Sequence, residues 1–103
     1  MFRLSKKHEI YFDEFLVYCE FFSPDYKFSG HIQKINSRGF CVIFMNEDKV
    51  VQPLTEGTLR IFCKDEIYDF SCSLRWVDNP SQFLRHSIAK VDDIDIWNFL
   101  KKI

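Results

Sequence analysis

The sequence predicts an all-β domain that ends in a single helix. Three observations carry that expectation. Residues 67–77 alternate with period two, Tyr68, Phe70, Cys72, Leu74 and Trp76 on one side and Asp69, Ser71, Ser73 and Arg75 on the other. Shorter segments of the same kind recur between clusters of turn residues, and from Asp92 the period changes to 3.6. Six strands in 103 residues imply an antiparallel barrel or sandwich.

The elements follow in order. Residues 1–13 form a basic N-terminal arm, 14–91 the strands and 92–103 the helix, all one domain. The first strand is expected over 14–22 (EFLVYCEFF) and is followed by the turn Ser23-Pro24-Asp25. The second spans 27–35 and the third 39–45, joined by Asn36-Ser37-Arg38-Gly39, residues that initiate turns or accept unusual backbone angles. Residues 45–57, with the charged run NEDK and Pro53, read as an exposed crossing. Strands over 58–64 and 67–77 meet at a hairpin return near Lys64-Asp65, and the last strand spans 84–91 after Asn79-Pro80-Ser81. In DDIDIWNFLKK the acids come first and the lysines last, matching a helix dipole, and Asp92 or Asp93 can cap the first turn. Ile96, Phe99, Leu100 and Ile103 form an apolar stripe, widened by Ile94 and Trp97, that is expected to close an open end of the strands.

Composition supports a self-sufficient core. Eighteen aromatics, twelve of them Phe, make up 17% of the chain, and each ring buries a large area. The formal charge of −1 lacks the excess expected of a general nucleic-acid binder. No apolar run approaches the ~20 residues that span a bilayer. MFRLSKKHEI has no secretory h-region, so a cytoplasmic location is expected. Cys19, Cys41, Cys63 and Cys72 include no C-x-x-C pair, and Cys19, Cys63 and Cys72 fall in alternating apolar rows, which makes them buried thiols rather than metal ligands. His8, His31 and His86 have no zinc-site spacing, and there is neither a nucleophile elbow nor a Gly-rich phosphate loop. No catalysis, cofactor or metal is expected.

Charge is distributed unevenly. Arg3, Lys6 and Lys7 give the first eight residues +3, against −4 for the remainder, so the N-terminus is a cationic arm that is either a solvated tail or a clamp on an anionic ligand. The second informative place is Lys34-Ile35-Asn36-Ser37-Arg38-Gly39, a turn whose backbone N–H groups and short polar side chains can hold phosphate oxygens.

These two places, in this order, resemble the PilZ domain, the bacterial receptor module for cyclic di-GMP. That family carries R-x-x-x-R in an arm before the first strand and [D/N]-x-S-x-x-G at the second-to-third strand turn. Here Arg3-Leu4-Ser5-Lys6-Lys7 and Lys34-Ile35-Asn36-Ser37-Arg38-Gly39 occupy the two places. Leu54-Thr55-Glu56-Gly57 before TLRIFCK, the strand FSCSLRWV, the strand HSIAKV and Asp92-Asp93 opening a helix also match the layout, so the likeness covers about residues 6 to 102. It implies a six-stranded antiparallel β-barrel with a C-terminal helix. A ligand site would comprise Arg3, Lys7, Lys34, Asn36 and Gly39.

Departures from the pattern alter the expected function. The family's arginines meet phosphate and stack on guanine with a planar fork that Lys7 lacks, Lys34 replaces the acid or amide of the turn and Asn36 its serine, and Gly39 alone matches outright. Losing one charge-assisted contact of ~1.5–3 kcal/mol lowers affinity roughly ten- to two-hundredfold. Degenerate members of the family act through protein contacts in pilus, flagellar or signalling assemblies. The expected role is therefore a non-catalytic regulatory module with a protein partner and weak or lost nucleotide binding. Phe21, Phe22, Trp97 and Phe99 are its candidate interface residues, because an adjacent apolar pair places one ring on the outer face of a strand. A working cyclic di-GMP receptor with a lysine-substituted site is the alternative. A further resemblance, of residues 30–35 and 39–44 to the OB-fold repeats of the largest small-subunit ribosomal protein, implies single-stranded RNA binding, which the near-neutral charge disfavours.

Overall fold

In the computed structural model, which describes residues 10–12, 17–36, 38–45, 54–77 and 84–102, the strands are β1 (Ile10–Tyr11), β2 (Tyr18–Phe22), β3 (Lys27–Asn36), β4 (Gly39–Met45), β5 (Leu54–Cys63), β6 (Glu66–Trp76) and β7 (Leu84–Lys90), followed by helix α1 (Asp93–Lys102). Six of them close a ring in the order β2-β5-β6-β7-β4-β3 and back to β2, every pairing antiparallel. The chain is thus a six-stranded barrel with one C-terminal helix. β1 is an addition to this ring that the sequence reading assigned to the arm, and it pairs with the far half of β3, Ile10 opposite Ile35 and Tyr11 opposite Lys34.

Alternation places the core. Cys19 and Phe21 of β2, Leu59, Ile61 and Cys63 of β5, and Phe70, Cys72 and Leu74 of β6 point inward, as period two requires. β3 departs from it, because a register shift between Ile32 and Lys34 lets Ile32 and Ile35, three residues apart, both reach the core. Phe40, Phe44, Phe70 and Phe28 fill the interior at ring spacings of 5.3 Å for Phe40–Phe70 and 5.9 Å for Phe28–Phe44. All four cysteines are buried and free. Desolvation pushes the Cys72 thiol up to about 12 and Cys19 higher still, so these thiols remain protonated and pack as small hydrophobes.

The helix starts where the acids predict. The Asp92 carbonyl accepts the N–H groups of Asp95 at 3.0 Å and Ile96 at 3.1 Å, Asp93 and Asp95 lie in the first turn, and Lys101 and Lys102 in the last. Ile96 and Phe99 are its buried residues. Phe99 meets Tyr68, Phe40 and Phe70 edge-on at 5.0, 5.6 and 5.8 Å and so plugs the barrel. Ile94 does not widen the buried stripe, since it is exposed, and Ile103 lies outside the described residues.

Two strand limits differ from the sequence expectation by four residues each, and the others by one at most. β2 begins at Tyr18 rather than residue 14, with 13–16 outside the described residues. β5 begins at Leu54 rather than residue 58, because residues 54–57 pair with residues 72–75 and the Ser73 hydroxyl donates to Glu56 Oε1 at 2.7 Å.

Candidate functional site

The β3–β4 hairpin gathers the candidate ligand residues that lie among those described. The β3 bulge sets both Gln33 and Lys34 outside the core, half-buried on the outer side. Asn36 then shapes the turn, its Oδ1 accepting the Arg38 N–H at 2.9 Å, while its Nδ2 donates to Cys41 Sγ at 3.6 Å. Gly39 has φ +130°, and a Cβ there would lie 2.3 Å from the Ala89 carbonyl oxygen. Both facts require glycine: the backbone angle excludes L side chains and the adjacent strand leaves no room. Lys34 Nζ lies 5.4 Å from the centroid of the Tyr11 ring, a cation–π contact.

Beside this turn lies an open cleft of about 350 Å³, lined by Lys34, Asn36, Arg38 and Cys41 from the hairpin and by His86 and Ile88 from β7. Among the described residues no carboxylate lines it. Two permanent cations and an imidazole beside an apolar wall make a surface suited to an anionic, partly flat ligand. Sequence reasoning missed His86 and Ile88, which reach the site only through cross-strand register, Cys41 opposite Ile88 and Ile43 opposite His86. Arg38 was visible in the motif but was not selected, because the family pattern has no fixed residue there.

Arg3 and Lys7, the remaining ligand candidates, lie outside the described residues. The segment that follows them is docked beside the cleft: Phe12 donates its N–H to the Gln33 carbonyl at 3.0 Å, and antiparallel pairing puts Ile10 at the Ile35 end of β3, next to the turn.

The candidate interface residues do not share a surface. Phe21 is 0% and Phe99 2% exposed, and both belong to the core, which corrects their assignment as docking residues. The inward set of β2 is Val17, Cys19 and Phe21, so of the adjacent pair it is Phe22 that faces outward, between Lys27 Nζ at 5.4 Å and Arg60 at 5.2 Å. Trp97 is half-buried, with Lys101 Nζ 5.8 Å from its ring. The apolar surface lies elsewhere, in a row across three strands: Tyr18 of β2, Phe62 of β5 and Ile67 of β6 are register partners. Tyr18 is 44% exposed, Ile67 60%, and the Tyr18 and Phe62 rings stand 5.4 Å apart.

Among the described residues no group of three or more His, Cys, Asp or Glu is placed to hold a metal, and no helix is long and apolar enough to cross a membrane. No family model, no curated protein and no solved structure matches the chain.

Proposed function

We propose that this chain is a non-catalytic, PilZ-like regulatory module of cyclic di-GMP-type signalling that acts through protein contacts, with its nucleotide site weakened. The observation that carries this reading is that two of the motif positions are engaged within the protein. Asn36 spends both ends of its amide on Arg38 and Cys41, and Lys34 rests on Tyr11. A nucleotide would have to displace these contacts without the planar guanidinium pair that the family uses. The exposed row Tyr18–Phe62–Ile67 supplies the apolar surface that a protein partner needs.

One observation favours a second reading, a working cyclic di-GMP receptor. The cleft keeps Lys34, Arg38 and His86 and, among the described residues, has no acid in its wall. Isothermal titration of the full chain with cyclic di-GMP, with GTP as the control for nonspecific anion binding, separates the two. The first reading expects no saturable heat. Selective saturable heat, lost in Arg38→Ala, would establish the second in its place.

A further inference from the structure

The barrel is closed, yet one of its strands is longer than its neighbour. β6 pairs with β5 from Glu66 to Arg75, but with β7 only from Ser73 to Trp76. Among the described residues no strand pairs with the second edge of β6 over residues 66–72. Its backbone polarity follows from one bond. Val77 donates its N–H to the His86 carbonyl, so odd-numbered residues of β6 aim their backbone groups toward β7 and even-numbered ones toward β5. Ile67, Asp69 and Ser71 therefore present N–H and C=O groups to the open edge, and all three are exposed. Helix α1 meets this part of β6 through the rings of Tyr68 and Phe70, with Phe99 against both and Lys102 Nζ 5.8 Å from the Tyr68 centroid.

Such an edge is a template for another strand, and natural proteins guard it with proline, lysine or a bulge. Residues 66–72 contain none of these; their charges are Glu66 and Asp69, and Asp69 is paired with Arg60 within the chain. We propose that this edge pairs with the same edge of a second copy of the chain, antiparallel about a two-fold axis at Tyr68. The register follows from charge and availability. An axis at Asp69 would set two carboxylates directly opposite each other, and an axis at Phe70 would match Ile67 with Ser73, which already pairs with Lys90. The axis at Tyr68 places Ile67 opposite Asp69 of the second copy, each pair exchanging both backbone bonds. Every charge is then opposite an uncharged side chain, and the Arg60–Asp69 ion pair, with bonds of 2.8 and 3.1 Å, is retained within each copy. Each row Tyr18–Phe62–Ile67 then continues into Asp69 and Arg60 of the second copy, with the two Ile67 side chains diagonal to each other across the axis. This pairing is independent of the nucleotide and partner readings above.

An interface this short is weak, so the test is sedimentation velocity of the full chain from roughly 10 μM to 1 mM. The wild type is expected to shift from monomer to dimer across that range. Ile67→Pro removes a donor that faces only the open edge, and Ile67→Glu sets a carboxylate directly opposite Asp69 of the second copy. Each should raise the dissociation constant at least about tenfold. Leu54→Lys, at an exposed site at the other end of the β5–β6 hairpin, should leave it unchanged. Amide exchange at high concentration should slow at Ile67 and Asp69 and not at Ser71. A monomer at every concentration overturns the proposal, as does a dimer that persists in both Ile67 variants or protects other amides. Should Ile67→Pro fail to fold, Ile67→Glu and the exchange pattern still decide.

Discussion

The two hairpins β3–β4 and β5–β6 make the same reversal with opposite residue choices. In β3–β4 the turn chemistry suits the backbone: Asn36 supports the loop through its side chain, and glycine occupies the position at φ +130°. In β5–β6 the reversal falls on Lys64 at φ 51° and Asp65 at φ 66°, two non-glycine residues in the left-handed region. The first hairpin is built into the ring on both sides. The second is held by β2 along β5 as far as Phe62, and among the described residues the other edge of β6 is unpaired over residues 66–72. Turn residues chosen for backbone fit lie beside the cleft, whereas the strained turn closes the end of a hairpin that β2 supports along β5.

Substitutions can break this contrast. The largest effect is expected at Gly39→Ala, where a forbidden φ and the Ala89 carbonyl oxygen act together, with a loss of ~2–4 kcal/mol in urea unfolding. Next, the pair Lys64→Asn and Asp65→Gly should relieve the other turn and raise stability by ~1–2 kcal/mol in the same assay. If that pair stabilises no further than a neutral surface change, the tip is not strained. Asn36→Ala should lose ~1 kcal/mol by removing the support of the Arg38 N–H. It also frees Cys41 Sγ, so thiol labelling at that position should accelerate while Cys19 and Cys72 stay protected.

The smallest effect concerns pH. The hydrogen bonds from Arg60 hold the Asp69 carboxyl below its ordinary value of 3.8. A lowered folded value means that the stabilisation is present above 3.8 and disappears as pH falls through the folded value. Both side chains are solvent-exposed, so the term is small. Asp69→Asn should reduce the drop in melting temperature between pH 5 and about pH 2. An equal drop in the two proteins would mean that the ion pair adds nothing to the β5–β6 hairpin.

Much of this architecture was legible beforehand for a local reason. Tyr68, Phe70, Cys72, Leu74 and Trp76 advertise their common side because strand geometry alternates regardless of what the strand pairs with. Asp92 and the closing lysines advertise helix ends in the same local way. Leu54 and Glu56 carry weak strand signals and enter β5 only because β6 offers partners as far as Arg75. Ile35 could not be placed on the core side by counting from Ile32, since the bulge at Gln33 is a property of the β3–β4 pairing. The candidate site divides along the same line. Lys34, Asn36 and Gly39 were visible as one short motif, whereas His86 and Ile88 join it through β4–β7 register.

The sequence by itself determined the two faces of β6, the turn at Asn36 to Gly39, the helix with its polarity and the inert character of the core thiols, because each depends on neighbours within a few residues. Only the tertiary structure decided that Phe21 and Phe99 are core, that the apolar row runs through Tyr18, Phe62 and Ile67, and that one edge of β6 stays open. Those outcomes depend on which strands pair and how far each overlaps its neighbour, a matter of long-range register that alternation within a single strand does not encode.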